Sequence, residues 1–182
     1  MPLWLNIANL VTLLRLALVP FIIGDILRGN HLMALVLFVA AGVTDIVDGA
    51  LARSFGLATR SGAYLDPIAD KCLLSGIFLA LGSAGIVPWW FVYVVFGRDL
   101  YILVGVLAFL ALTKNRKFPP SVWGKVSTFV QISTAVVWLA RNILAAPVWI
   151  ALSSAMLWVC AGFTIWSGLH YTLRAIRFVR AH

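Results

Sequence analysis

The chain has no glutamate. Its acidic side chains are six aspartates, set against 14 lysines and arginines, in 182 residues. Charged residues make up only 11% of the sequence, 63% is hydrophobic, and the mean hydropathy is +1.02. A soluble domain is about one quarter charged, so this composition excludes an ordinary water-soluble fold. Cysteine and histidine are scarce, at 2 and 3 residues. Cys72 and Cys160 fall inside apolar runs, which excludes a disulfide framework, and the shortage of both residue types argues against zinc. No basic cluster precedes the first apolar run, and Arg15 lies within it, so the start does not read as a signal peptide. Internal repeats and low-complexity segments are absent too.

What remains is apolar sequence in lengths that suit a bilayer. A spanning helix needs about 20 mostly apolar residues. Six stretches qualify: roughly Leu10–Leu27, His31–Ala52, Ala63–Gly85, Pro88–Thr113, Val122–Ile143 and Val148–Leu173. The connections are short. The sequence therefore predicts an all-α integral membrane protein, with six transmembrane helices in one bundle and a single domain over residues 1–182. A short interfacial helix from Pro2 to about Ala8, carrying Leu3, Trp4, Leu5 and Ile7, is expected before it.

The net charge of +8 is unevenly placed. Arg53 and Arg60 lie between the second and third spans, Lys114, Arg116 and Lys117 between the fourth and fifth, and Arg174, Arg177 and Arg180 after the sixth. The opposite side carries Arg28, Arg141 and the uncharged Gly82–Pro88 link. The positive-inside rule then puts both termini on the cytoplasmic side of the cytoplasmic membrane. Anionic headgroups account for these cations, so nucleic acid is not expected as a partner.

Four of the six aspartates fall between positions 45 and 70. Asp45 and Asp48 are three apart near the end of the second span. Asp66 and Asp70 are four apart near the start of the third, and Gly62 extends their stripe. Each spacing puts a pair on one helix face. Two helices joined by roughly ten residues thus present four carboxylates to each other on the cytoplasmic side. A lone aspartate at a span end could be an idle solvated charge. Four at matched spacing would repel each other and take up protons unless cations joined them. Two divalent ions cancel four carboxylates, and hard oxygen ligands suit Mg²⁺ or Mn²⁺. A paired-ion site of this kind can clamp a displacement at phosphorus. Gly49, Ala52, Gly56, Ala58 and Gly62 allow a ligand or another backbone to come close, and Arg53 is placed for a phosphate or for the headgroup layer. A divalent-cation transporter is the reading from another class. Transport sites tend to lie near the midplane on broken helices, whereas these aspartates lie at one side.

Asp45, Asp48, Gly49, Ala52, Arg53, Gly62, Asp66 and Asp70 read as D-x2-D-G-x2-A-R-x8-G-x3-D-x3-D. This resembles the signature of the CDP-alcohol phosphatidyltransferases at every fixed position. The resemblance implies transfer of a phosphatidyl group from CDP-diacylglycerol to an alcohol, with release of CMP. It also implies that Asp45, Asp48, Asp66 and Asp70 hold two metal ions. Asp70 would in addition take the proton of the attacking hydroxyl, and Gly49, Ala52, Arg53 and Gly62 would bound the donor. Asn9, Thr12 and Arg15 resemble an N-x2-T-x2-R run that the family places near the donor's cytidine and phosphates. Spans in this family often pair into homodimers.

The acceptor should be read from the second half of the chain. Arg98 and Asp99 lie inside the fourth span, either as a neutral pair that supports the bundle or with Arg98 in the polar cavity, the reading preferred here. After Pro119 and Pro120, Gly124, Lys125, Thr128 and Gln131 give a polar stripe at the cytoplasmic end of the fifth span. Arg98, Lys125 and Thr128 are the expected acceptor residues. Gly97-Arg98-Asp99 and Gly124-Lys125-Val126-Ser127-Thr128 resemble runs of the branch that uses glycerol 3-phosphate, except that Ser127 replaces a lysine. The pattern P-S-x-x-G-K-x-x-T-x-x-Q resembles the branch that uses phosphatidylglycerol and makes cardiolipin. Glycerol 3-phosphate is placed first.

Overall fold

The protein is described by a computed structural model covering residues 7–54, 62–112, 122–144 and 146–180, with side chains described for 12–45, 69–105, 122–144 and 146–173. All regular structure among these residues is helical: α1 (Ile7–Leu27), α2 (His31–Ser54), α3 (Gly62–Ser83), α4 (Trp89–Leu112), α5 (Val122–Leu144) and α6 (Pro147–Arg180). The expected helices are thus present, with ends shifted by a few residues. Ile7 and Ala8 already belong to α1, and the rest of the expected interfacial helix lies outside the described residues. So does the connection between α2 and α3.

Two links are short because glycine closes them. Gly29 (φ 79°) follows α1 and Gly85 (φ 70°) follows α3. In each, the next residue's N–H donates back to a helix carbonyl, Asn30 to Asp25 at 2.8 Å and Ile86 to Leu81 at 2.9 Å. This is a left-handed helix cap, a conformation that costs glycine little. Both turns lie at the end of the bundle away from Asp45 and Asp70, so the chain is pinned where it reverses on that side.

α1 packs on α2 and α3, α5 packs on α6 and α2, and α4 packs on α6. The apolar core runs through α3: Leu74, Ile77, Phe78 and Leu81 meet Ile22 and Ile26 of α1, Phe91 and Val92 of α4, and Ala135 and Leu139 of α5. Phe78 and Phe91 meet edge-to-face with centroids 5.4 Å apart. Gly76 lets α1 and α3 close up; a Cβ there would meet Ile23 Cδ1 at 3.0 Å and Val19 Cγ1 at 3.2 Å.

The outside of the bundle is apolar as well. Leu13, Phe21, Leu32, Val36, Phe96, Leu103, Phe129, Trp158, Ile165 and Leu169 are all exposed. Surface of this kind marks contact with membrane or other apolar partners. Among the described residues, Pro147–Leu173 is the one helix long and apolar enough to cross a bilayer by length and composition alone, with mean hydropathy 1.8. The expectation of six such spans is met only in part.

Candidate active site

The packing of α1 against α2 and α3 brings three charged side chains together. Arg15 Nη1 donates to Asp70 Oδ1 at 2.6 Å, and Arg15 Nη2 donates to Asp45 Oδ1. The guanidinium is 2% exposed, whereas the Asp45 and Asp70 side chains are 40% and 46% exposed. The cation therefore sits behind two carboxylates that face open space. That space is a cavity of about 310 Å³, lined at one end by Arg15, Asp45, Asp70 and Thr128. Its remaining wall is apolar, with Phe38, Val39 and Val43 of α2 facing Phe129, Ile132 and Val136 of α5. A charged head with an apolar body is the shape of ligand such a cavity accepts.

The structure thus brings Asp45 and Asp70 to one place, as the spacing predicts. Asp48 lies on α2 three residues beyond Asp45, and Asp66 lies on α3 four residues before Asp70. Their side chains, like those of Asn9, Ala52 and Arg53, lie outside those described, as do any contacts at Gly49 and Gly62. Among the described residues, Asp45 and Asp70 are the two carboxylates that meet here, hard oxygen donors of the kind a divalent cation takes, drawing one cation between them and open to the cavity. Thr12 is buried one turn before Arg15. Arg15, expected beside the donor's phosphates, pairs with both carboxylates.

A second charged cluster lies on the other side of α3. Lys71 Nζ donates to both oxygens of Asp99 at 2.7 Å, and Arg98 Nη1 donates to Asp99 Oδ1 at 2.7 Å. Arg98 Nη2 also reaches Ser167 Oγ of α6 at 2.5 Å. Arg98 thus has the neutral-pair partner that the sequence allowed, and it is not among the residues lining the 310 Å³ cavity. A Cβ on Gly124 would still meet Arg98 Nη2 at 3.6 Å, so the guanidinium reaches the start of α5. The stripe expected on α5 divides. Thr128 lines the cavity and donates to the Gly124 carbonyl at 3.1 Å, Lys125 is exposed, and Gln131 is buried with Nε2 donating to Thr164 Oγ1 at 3.5 Å.

Sequence reasoning missed Lys71, Ser167 and the apolar wall. Lys71 had a signal: it is the sole cation of α3, and Asp99 is the sole acid of α4. Single opposite charges in neighbouring apolar helices are expensive unless they meet. Ser167 had none, since serine also packs between membrane helices for its size alone.

The fold is thus a bundle of six described helices with two paired acids at the polar end of a largely apolar cavity. The sequence model of the CDP-alcohol phosphatidyltransferases matches residues 5–166. The chain belongs to that family, a family of membrane-associated enzymes, and is a phosphatidyltransferase. It is 36% identical over 181 residues to the probable phosphatidylglycerophosphate synthase of Mycobacterium tuberculosis, covering 94% of this chain and 82% of that relative. It is 33% identical to the CDP-diacylglycerol–glycerol-3-phosphate 3-phosphatidyltransferase of Bacillus subtilis, covering 91% and 93%. It is also 30% identical to the probable CMP-forming cardiolipin synthase of Drosophila melanogaster, covering 88% of this chain and 54% of that relative. The family match favours group transfer over ion transport.

Proposed function

We propose that the chain transfers the phosphatidyl group of CDP-diacylglycerol to glycerol 3-phosphate, giving phosphatidylglycerophosphate and CMP. The observation that carries this is the meeting of Asp45 and Asp70 at the polar end of a cavity whose other wall is apolar. All six helices are read as spans of the cytoplasmic membrane, with termini and site facing the cytoplasm, in one domain that pairs as a homodimer. A polar acceptor then arrives from water while the donor's acyl chains stay in lipid along α2 and α5.

Asp45, Asp48, Asp66 and Asp70 would hold two Mg²⁺ or Mn²⁺ ions. Bound there, such ions supply the positive charge that draws in a pyrophosphate and eases the departure of CMP. Asn9, Thr12, Arg15, Gly49, Ala52, Arg53 and Gly62 bound the donor. Asp70 accepts the proton of the acceptor hydroxyl, which attacks phosphorus as the bond to CMP breaks. Arg98, Lys125 and Thr128 face the acceptor.

Phosphatidylglycerol is the second acceptor to consider, because Ser127 stands where the glycerol-3-phosphate branch carries lysine, and Ser127 is buried. The deciding experiment offers radiolabelled CDP-diacylglycerol and each acceptor in turn to the purified protein and separates the lipid products. Phosphatidylglycerophosphate supports the first reading. Cardiolipin from phosphatidylglycerol alone replaces it with the second.

A further inference from the structure

Arg15 poses a problem of charge. A buried guanidinium is costly unless carboxylates and hydrogen bonds compensate it. Here two carboxylates do so, one from α2 and one from α3, and the same cation keeps them from repelling each other. Its Nε is buried with no hydrogen-bond partner among the described residues. The carboxylates face the cavity and the guanidinium lies behind them. A divalent ion arriving from the cavity meets oxygens that a resident cation already holds. Two cations cannot keep the same carboxylate oxygens at full strength, since like charges a few ångströms apart repel strongly where water is scarce. Once the carboxylates turn to the ion, Arg15 is a buried cation in want of an anion. A pyrophosphate in the cavity is such an anion, and the planar guanidinium suits phosphate oxygens.

We propose that Arg15 is a resident counter-cation. It holds Asp45 and Asp70 together before metal binds, gives them up to the metal, and turns to the phosphates of the nucleotide-lipid donor. Metal and donor affinity are therefore coupled through this one side chain. The proposal rests on the reading of the aspartates as a metal site. It adds that an internal competitor sets how weakly metal binds alone and how strongly the donor tightens it. By linkage, the metal must tighten the donor by the same factor.

The test is a Mn²⁺ titration followed by electron paramagnetic resonance, on the full chain in lipid nanodiscs, with and without CDP-diacylglycerol. Arg15→Gln removes the competing charge. It should tighten Mn²⁺ without donor by about tenfold, within the usual range of coupling between sites, and should abolish most of the tightening that donor produces in the wild type. Arg15→Lys keeps a charge but has one ammonium for two carboxylates, so it should fall between. If Arg15 were only a structural tie or only a donor ligand, its removal would leave metal affinity without donor unchanged or weaker. Either result overturns the proposal. Should Arg15→Gln fail to fold, Arg15→Lys decides alone, and wild-type values for both the affinity and the donor effect overturn it. Failure of the wild type to bind Mn²⁺ under either condition defeats the metal reading itself. Wild-type binding with no shift in the variants defeats only the role of Arg15.

Discussion

Helix α3 carries charge on two sides, and the two clusters are opposites. Toward α1 and α2, two carboxylates share one guanidinium, and both acids are nearly half exposed to a cavity. Toward α4 and α6, two cations share one carboxylate, and Asp99 is only 15% exposed. The first is short of positive charge and open, as a site that takes up cations must be. The second is short of negative charge and mostly enclosed. Adjacent residues, Asp70 and Lys71, begin the two clusters, because one step along a helix turns the side chain by about 100°. A single helix thus carries an open, acid-rich cluster on one side and a more enclosed, cation-rich one on the other.

The largest effect should come from the open cluster. Asp70→Asn keeps the shape and can still accept from Arg15, but it cannot take a proton. Turnover should fall by about a hundredfold or more, the usual worth of a positioned base, with donor binding largely kept. Asp45→Ala should lose both donor binding and turnover, and a chelator should abolish activity in the wild type. Donor affinity measured beside rate separates these cases. Equal loss of donor binding in both variants would remove the base role from Asp70.

The enclosed cluster should answer first in stability. Asp99→Asn leaves Lys71 and Arg98 without their shared carboxylate. Breaking a buried pair costs about 3–5 kcal/mol, and the 39% exposure of Lys71 puts the expectation at or below the low end of that range. Denaturant unfolding in detergent measures it. A loss of rate at unchanged stability would mean that Asp99 serves the chemistry rather than the bundle.

These two clusters were unequally legible in the sequence. The helices and the meeting of Asp45 with Asp70 followed from apolar length and from spacings of three and four, signals that local geometry fixes. Arg15 could be placed near the site but not on the carboxylates, because which anion a buried cation takes depends on how three helices pack. The sequence grouped Arg98 with the cavity and Lys125 with Gln131 as one polar face, and it did not show that Arg98 also pairs with Asp99 and Ser167. In the structure Lys125 is exposed and Gln131 faces α6, since neighbours in a polar run point in different directions around a helix. The Lys71–Asp99 pair is a contact between helices 28 residues apart in sequence, and only the cost of lone charges in apolar helices hinted at it.

That difference between Arg98 and Lys125 gives the next effect in size. Arg98 is 8% exposed, and a charge-assisted contact from it to an acceptor phosphate is worth about 1.5–3 kcal/mol. Arg98→Ala should raise the KM for glycerol 3-phosphate about tenfold or more, with little change for the donor. Lys125 is exposed, where such contacts are worth about 0–1 kcal/mol, so Lys125→Ala should raise it less than about fivefold. The reverse order would place Lys125 at the acceptor and leave Arg98 to the bundle alone.

The smallest effects test whether spacing across α3 reaches the site. Gly76 faces α1, and Gly82 faces α4, where an added Cβ would meet Val92 Cγ2 at 3.0 Å. At both positions the nearest atoms are side-chain ends that can turn aside, so each glycine-to-alanine change should alter stability by only about 1 kcal/mol, the lower end for overpacking. Rate should tell them apart. Pushing α1 away from α3 at Gly76 strains the Arg15–Asp70 contact, two turns nearer the site, whereas pushing α4 away at Gly82 acts at the far end of α3. Gly76→Ala should therefore lower turnover by a small factor, and Gly82→Ala should leave it unchanged. Equal rates at equal stability would show that the carboxylate site tolerates a shift of α1, and that Arg15 reaches Asp70 by its own side-chain freedom rather than by close packing of the two helices.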